Sequence, residues 1–179
     1  MSSTGYYMPW YLWGGLLTVI GDALLFTVND STSTGRLYGY SILSGIGAGS
    51  FIQAGFSVAQ ARVKPADIPL AIGFITCGQV GGATISLAIA NALFLNGGVD
   101  EIKKVLPEQS EKNIQDALAG ASAEFFGSLD ADTRHEVIKA IIHSMKYVYV
   151  LGITAGALVV LMSVFMKREK LFMKPGSAA

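Results

Sequence analysis

Four long apolar stretches alternate with polar ones along the chain. They cover about residues 9–28, 36–60, 68–95 and 147–166. Each is long enough to cross a hydrocarbon layer of about 30 Å, which takes roughly 20 residues of helix. The third carries no charge from Ile68 to Leu95 and exceeds that thickness, so it must tilt or protrude. The pattern predicts an all-α integral membrane protein with four transmembrane helices in one membrane domain over 1–179. A long, partly helical outer loop over 97–144 separates the third helix from the fourth.

Local signals mark the ends of these stretches. Pro9 and Pro69 suit the first turn of a helix, where a missing N–H costs little. Asp67 is placed to cap the third helix. Asn29 to Gly35 reads as a short polar turn, and Asn96-Gly97-Gly98 as the end of the third span. Asn29-Asp30-Ser31 also matches a glycosylation sequon, very close to the membrane. Within 97–144, Ser110 and Thr133 are expected N-caps, with a capping box from Thr133 to Glu136. Val137, Ile138, Ile141, Ile142 and Met145 follow at helical spacing. That amphipathic piece is expected on the membrane surface or against the bundle, leading into the fourth span.

Composition agrees with this picture. Charged residues are 15% of the 179, against about a quarter in a soluble domain. Mean hydropathy is +0.48. The net charge of +0 gives no electrostatic footprint for nucleic acid. Cys77 is the lone cysteine, so no internal disulfide or cysteine metal site forms. His135 and His143 alone make a poor metal site, and no cofactor is expected. Met1 to Met8 lacks a basic region, so no signal peptide is expected.

Basic residues set the expected orientation. Arg62 and Lys64 put the second turn in the cytoplasm, and the basic tail over 167–179 does the same for the C-terminus. Both termini are then cytoplasmic, and 29–35 and 97–144 are outside. Arg36 dissents. Tyr6, Tyr7, Trp10, Tyr11 and Trp13 form an interfacial aromatic belt.

Candidate chemistry lies within the spans. Gly45 and Gly49, Gly78 and Gly82, and Gly152 and Gly156 are small pairs four apart, expected to pack helices closely. Gly14, Gly15 and Gly21 allow a similar approach on the first helix. The run Gly45-Ile-Gly-Ala-Gly49 is no dinucleotide fingerprint, because no strand precedes it. Gln53 shares a face with Gly45 and Gly49, and Ser57 flanks it. Gln79 lies beside Gly78 and Gly82, with Asn91 further along. An amide in hydrocarbon must find partners. Gln53, Gln79, Ser57 and Asn91 are therefore the candidate lining of a substrate cavity, or interhelical glue. Asp22 is the acid inside the first span, a proton site or a structural acid bonded to a neighbour. No nucleophile–base pair, paired carboxylates or phosphate loop indicates an enzyme.

Tyr7-Met-Pro-Trp-Tyr11, Tyr38-Gly-Tyr-Ser-x-Leu-x-Gly-Ile-Gly-Ala-Gly49, Gln53-Ala-x-Phe-Ser-Val-Ala-Gln60, Ile72-Gly-Phe-Ile-Thr76, Gln79-x-Gly-Gly82 and Leu87-Ala-Ile-Ala-Asn91 together resemble the C-terminal part of fungal major facilitator superfamily efflux transporters. The match is to the fourteen-span drug:proton antiporter type, which includes toxin and multidrug efflux pumps. The resemblance implies a partial major facilitator fold in which the second and third helices line a central cavity and the first and fourth support them. It implies export of small organic compounds across the plasma membrane, with protons, substrate and the bilayer as partners, once the N-terminal helices complete the fold. It makes Asp22, on a supporting helix, a weaker proton carrier. Two six-helix halves are needed for alternating access, so four helices alone are not expected to transport. A tetraspanin-like interaction or scaffold protein has the same topology. Its large outer loop depends on disulfides, and 97–144 contains no cysteine.

Overall fold

A computed structural model of the chain describes residues 6–120, 125, 127 and 129–166. The basic tail expected over 167–179 lies outside the described residues. In chain order the helices are α1 (Met8–Phe26), α2 (Thr34–Arg62), α3 (Ile68–Val105), α4 (Glu111–Leu118) and α5 (Ala131–Phe165). A 3₁₀ turn, Pro65–Asp67, joins α2 to α3. All except α4 are long and apolar enough to cross a membrane.

The helix starts show which local signals prevail. Proline sits in the first turn of α1 and of α3. Ser110 caps α4: its backbone is extended and its Oγ accepts from the Asn113 N–H at 3.2 Å. Asp67 does not cap α3. The 3₁₀ turn holds it in a helical conformation, φ −95° and ψ −5°, whereas a capping side chain needs an extended residue beneath it. Thr133 is not a cap either, because α5 starts earlier. Asp130 is the cap, extended, with its carboxylate accepting from the Thr133 N–H at 3.1 Å. The turn over 29–32 is tied by Asn29, whose Oδ1 accepts from the hydroxyls of Ser31 (2.8 Å) and Thr32 (2.9 Å).

α1 is the central helix. It packs along α2 on one side and α5 on the other; α3 packs on α5, and α2 and α3 touch only sparsely. Two glycine faces about 100° apart on α1 produce this order. Gly14, Thr18 and Gly21 form one. A methyl placed on Gly14 would meet the Gly47 carbonyl at 2.8 Å, and one on Gly21 would meet the Ser44 backbone at 2.6 Å. Gly15, Val19 and Asp22 form the other, against Gly156 and Gly152 of α5. Backbones this close gain dispersion contacts that bulkier side chains would forbid.

The six packing glycines expected from spacing divide unevenly. Gly152 and Gly156 face α1, against Asp22 and Val19. A methyl added at Gly45, Gly49, Gly78 or Gly82 would meet nothing within 4 Å among the described residues. The glycine that α2 uses is Gly47, which a spacing of four does not single out. Gly47 lies about 200° round the helix from Gly45, and its added methyl would meet the Thr18 N–H nitrogen at 2.5 Å. A small pair marks where a close neighbour fits, and the complementary face on α1 decides which one is used.

α3 runs past the expected end at Asn96 to Val105, 38 residues or about 57 Å. Gly97 and Gly98 do not stop it. They let it approach Tyr147 of α5 and Leu118 of α4. The amphipathic piece expected on the membrane surface or against the bundle is the first part of α5, continuous with the fourth span and packed through Val137 and Ala140 on α3 and α4. α3 and α5 thus extend together beyond a layer of about 30 Å and carry α4. Val99, Ile102, Ile114, Val137 and Ala140 close a small core there. We call this end the cap. Lys103 pairs with Glu111 across the α3–α4 junction. That hydrogen bond, with the nearby charge, holds the Glu111 carboxyl below its ordinary value. Bonds from Thr133, hydroxyl and N–H, do the same for Asp130.

Two outcomes are expected. Gly47→Ala should destabilise the α1–α2 contact by roughly 1–3 kcal/mol through overpacking, read as a lowered unfolding midpoint in detergent micelles; Gly45→Ala should not. The second concerns the cap. Glu111 and Asp130 favour their charged forms in the folded chain, so their contribution is complete above the ordinary values of 4.5 and 3.8 and is lost as pH falls through the lowered folded values. Protection against hydrogen exchange at α4 and at the first turn of α5, taken relative to the intrinsic rate at each pH, should fall below about pH 4.5, and Glu111→Gln should remove the part of that response contributed by α4.

Candidate functional site

α2 has a pinned back and an open front. Gly47, Ser50 and Ala54 sit against α1, and Ala54 is buried. The front carries Ile46, Gly49, Gln53 and Ser57. With Trp10 from α1, and with Ser50 and Ala54 at the edge toward α1, these residues line an open groove of about 460 Å³. Two of the four candidate cavity residues, Gln53 and Ser57, are therefore brought together, and Gly49 lies between Ile46 and Gln53 as the groove's floor. The absence of a side chain at Gly49 serves space in this groove, not contact with a neighbouring helix.

The groove is chemically neutral. Ser57 donates to the Gln53 carbonyl at 3.2 Å, and Ser50 to the Ile46 carbonyl at 2.7 Å. Those hydroxyls are satisfied within the helix, as membrane helices require. The Gln53 amide is different. It is exposed and makes no side-chain hydrogen bond among the described residues. Facing lipid, such an amide would lose several kcal/mol. It needs water, a ligand or another protein surface in front of it.

Gln79 and Asn91 do not join the groove. They are on α3, twelve residues and so about 120° apart. Gln79 is half-buried and Asn91 exposed. Cys77 is exposed on the same helix. The large apolar residues of α3 are also uncovered, with Phe74 at 80% and Leu70 at 76% exposure. Polar and apolar open positions alternate round this helix, so its surroundings cannot be lipid on every side.

Asp22 is buried, and it is where three helices meet. Its Oδ1 accepts from the Ser44 hydroxyl of α2 at 2.6 Å, a length within the range of a charge-assisted bond. Its other oxygen lies against Gly152 of α5, where an added methyl would sit 2.0 Å from it. Asp22 falls at the seam between the two faces of α1, which is why one side chain reaches both neighbours. The sequence marked Asp22 and Gly152 separately. Ser44 carried no signal, because a serine in a membrane helix ordinarily bonds its own backbone.

A second set of polar groups lies at the cap. A cleft of about 320 Å³ separates the 28–30 turn from the outer parts of α3 and α5. His143 Nδ1 lies 3.4 Å from Glu101, and His135 Nε2 lies 3.5 Å from Asp30. Lys104 pairs with Glu101 at 2.7 Å and Lys139 with Glu136 at 2.9 Å. Lys146 sits 5.9 Å from the centre of the Phe26 ring. Most of these charges already have partners, and they tie the turn and the two helices together. No group of three or more metal-ligating side chains occurs among the described residues.

Comparison with known proteins gives one consistent result. Over 177 residues, 99% of this chain, it is 46% identical to the "MFS-type transporter pgmG" of Aspergillus terreus, covering 31% of that protein. It is 39% identical over 175 residues to the "Efflux pump alnA" of Emericella nidulans, covering 98% of this chain and 32% of the pump. It is 40% identical over 161 residues to the "Efflux pump DEP3" of Fusarium langsethiae, covering 86% of this chain and 29% of that protein. The chain thus spans about a third of the length of the curated relatives it matches. No protein-family model matches it, and no solved structure does.

Proposed function

The chain belongs to the fungal MFS-type transporters, of which it spans about a third, and on that premise we propose that it forms the C-terminal wall of an exporter of small organic compounds. The open front of α2 carries this reading. A helix apolar enough to cross a membrane presents Gly49, Gln53 and Ser57 to a groove of about 460 Å³, with an unpaired amide that lipid would not tolerate. The remaining two thirds of the relatives' length would supply the facing wall. Four helices in one array leave nothing to rock against, so the chain by itself does not complete alternating access.

The groove fits a substrate of modest polarity. Its amide offers two donors and one acceptor, its floor is glycine, and none of its lining residues is charged. Asn91 and Gln79, on α3, would line a different part of the path. Proton exchange is the driving reaction we assign, with the plasma membrane as location and both chain ends in the cytoplasm. Arg62 and Lys64 between α2 and α3 support that orientation. The cap then stands outside. The relatives' names speak against the tetraspanin-like alternative, since those proteins are transporters and pumps.

The reading is tested at Gln53. In a full-length relative, the glutamine matching Gln53 is replaced by alanine and export measured for several compounds at equal expression. Loss of one well-placed hydrogen bond should lower transport of polar compounds by about tenfold, and alter apolar ones less. Equal transport of every compound would make Gln53 a packing residue and remove the reading of the α2 front as a cavity wall.

A further inference from the structure

Three helices pass from uncharged to charged at one level near the cap. α5 carries no charge from Tyr147 to Phe165, and Lys146 stands just before that run. α1 ends at Phe26, whose ring centre is 5.9 Å from the Lys146 Nζ. α3 is uncharged from Ile68 to Val99, and its Gly97 lies against Tyr147 of α5. In a bilayer this is the level where apolar chains give way to headgroups. Two cavities meet the 28–30 turn there. One is the charged cleft of about 320 Å³, on the side of α3. The other, of about 370 Å³, lies on the side of α2 and has Leu25, Leu37 and Met145 in its apolar wall. Val28, Asn29, Asp30 and Ile142 line both. Four charges of the cleft are neutralised locally, Lys104 by Glu101 and Lys139 by Glu136. Lys146 has no carboxylate partner among the described residues. Asp30 has only His135, 3.5 Å away and charged only when protonated. One cation and one anion of the cleft thus lack a permanent counter-ion.

We propose that these adjoining cavities hold a phospholipid of the cap-side leaflet with a primary-amine headgroup. Its phosphate sits at Lys146, its ammonium donates to the Asp30 carboxylate, and an acyl chain lies along the apolar wall beside α2. Charge complementarity selects this head. A purely anionic head would meet Asp30, Glu101 and Glu136 as well as Lys146. A quaternary ammonium has no N–H to donate to Asp30, and no tryptophan, tyrosine or phenylalanine lines the cleft to receive its charge. The apolar wall beside the shared turn selects a lipid over a free headgroup, which would leave that wall uncovered. A lysine at this level reaches a phosphate readily, because its stem lies along apolar surface while its ammonium stays at the polar boundary. The proposal concerns the lipid around this chain and does not rest on the export reading.

The test uses the full 179-residue chain, delipidated in detergent micelles. Native mass spectrometry follows the binding of phosphatidylethanolamine, phosphatidylcholine and phosphatidylglycerol with identical acyl chains. The first should be retained several-fold more than the other two. Lys146→Gln should lower its retention roughly fivefold, and Lys146→Arg should keep most of it. Asp30→Asn should bring it toward the level of phosphatidylcholine. Lys112→Gln, on α4 and outside the cleft, should change nothing. Glycerophosphoethanolamine, the same head without acyl chains, should not compete at equal concentration. Variants are compared at equal helicity by circular dichroism. The proposal is overturned if the three lipids bind alike, or if either Lys146→Gln or Asp30→Asn leaves the preference as in the wild type. It is equally overturned if Lys112→Gln loses as much as Lys146→Gln, or if the free head competes as well as the lipid. None of these outcomes depends on whether the substitution at Gln53 alters export.

Discussion

The close approach of α1 to both α2 and α5 is the constraint on which the rest of the bundle depends. Lipid chains are as apolar as leucine, so burying apolar surface does little to hold membrane helices together. What holds them is dispersion between surfaces that come near enough. On α1 that nearness is available on two faces, through Gly14 and Gly21 on one and Gly15 on the other, matched by Gly47 and Gly156. Their separation of about 100° sets α2 and α5 as neighbours flanking one helix. α3 then finds its place on α5. Asp22 stands at the seam and adds a polar bond between α1 and α2 inside the bundle.

This division explains where burial is found. The fully buried large side chains Ile102, Ile114 and Val137 belong to the cap, where water drives a hydrophobic core together. Inside the bundle the buried residues of α1 are mostly small, and large apolar groups such as Phe74 and Leu70 point outward. A soluble protein would reverse this. The open polar groups are the informative exceptions, because lipid accounts for exposed phenylalanine but not for the exposed amide of Gln53.

Span existence and type were legible in the sequence because length and hydropathy alone determine them. Contact faces were not. Gly45 and Gly49 have the usual spacing of four, yet α2 is held by Gly47, because the choice depends on a complementary surface on α1 that no local pattern of α2 contains. Helix ends failed for a similar reason. Gly97 and Gly98 read as a stop by propensity, and Tyr147 and Leu118 pack against that stretch and keep it helical. Thr133 lost its role to Asp130, three residues earlier, because the carboxylate already accepts the Thr133 N–H. Gln53 and Ser57, singled out by their chemistry and spacing, lie along one groove. Ser44 was not singled out, since its partner is 22 residues away on another helix.

The two sides of α2 are mechanically one object. An α-helix shifts as a unit far more readily than it twists its faces apart, and packed elements move between discrete arrangements. The back of α2 is fixed by Gly47 against Thr18 and by Ser44 on Asp22. The front carries Gln53, two and a half turns from Ser44. The Ser44–Asp22 bond and the groove shared with Trp10 of α1 therefore lie on the same stiff helix. Gly152 leaves the space beside Asp22 that a change in its hydrogen bonding would need, where alanine would place a methyl against the carboxylate. The small residues around Asp22 thus do two things at once. They bring three backbones together, and they leave the Asp22 carboxylate room beside Gly152.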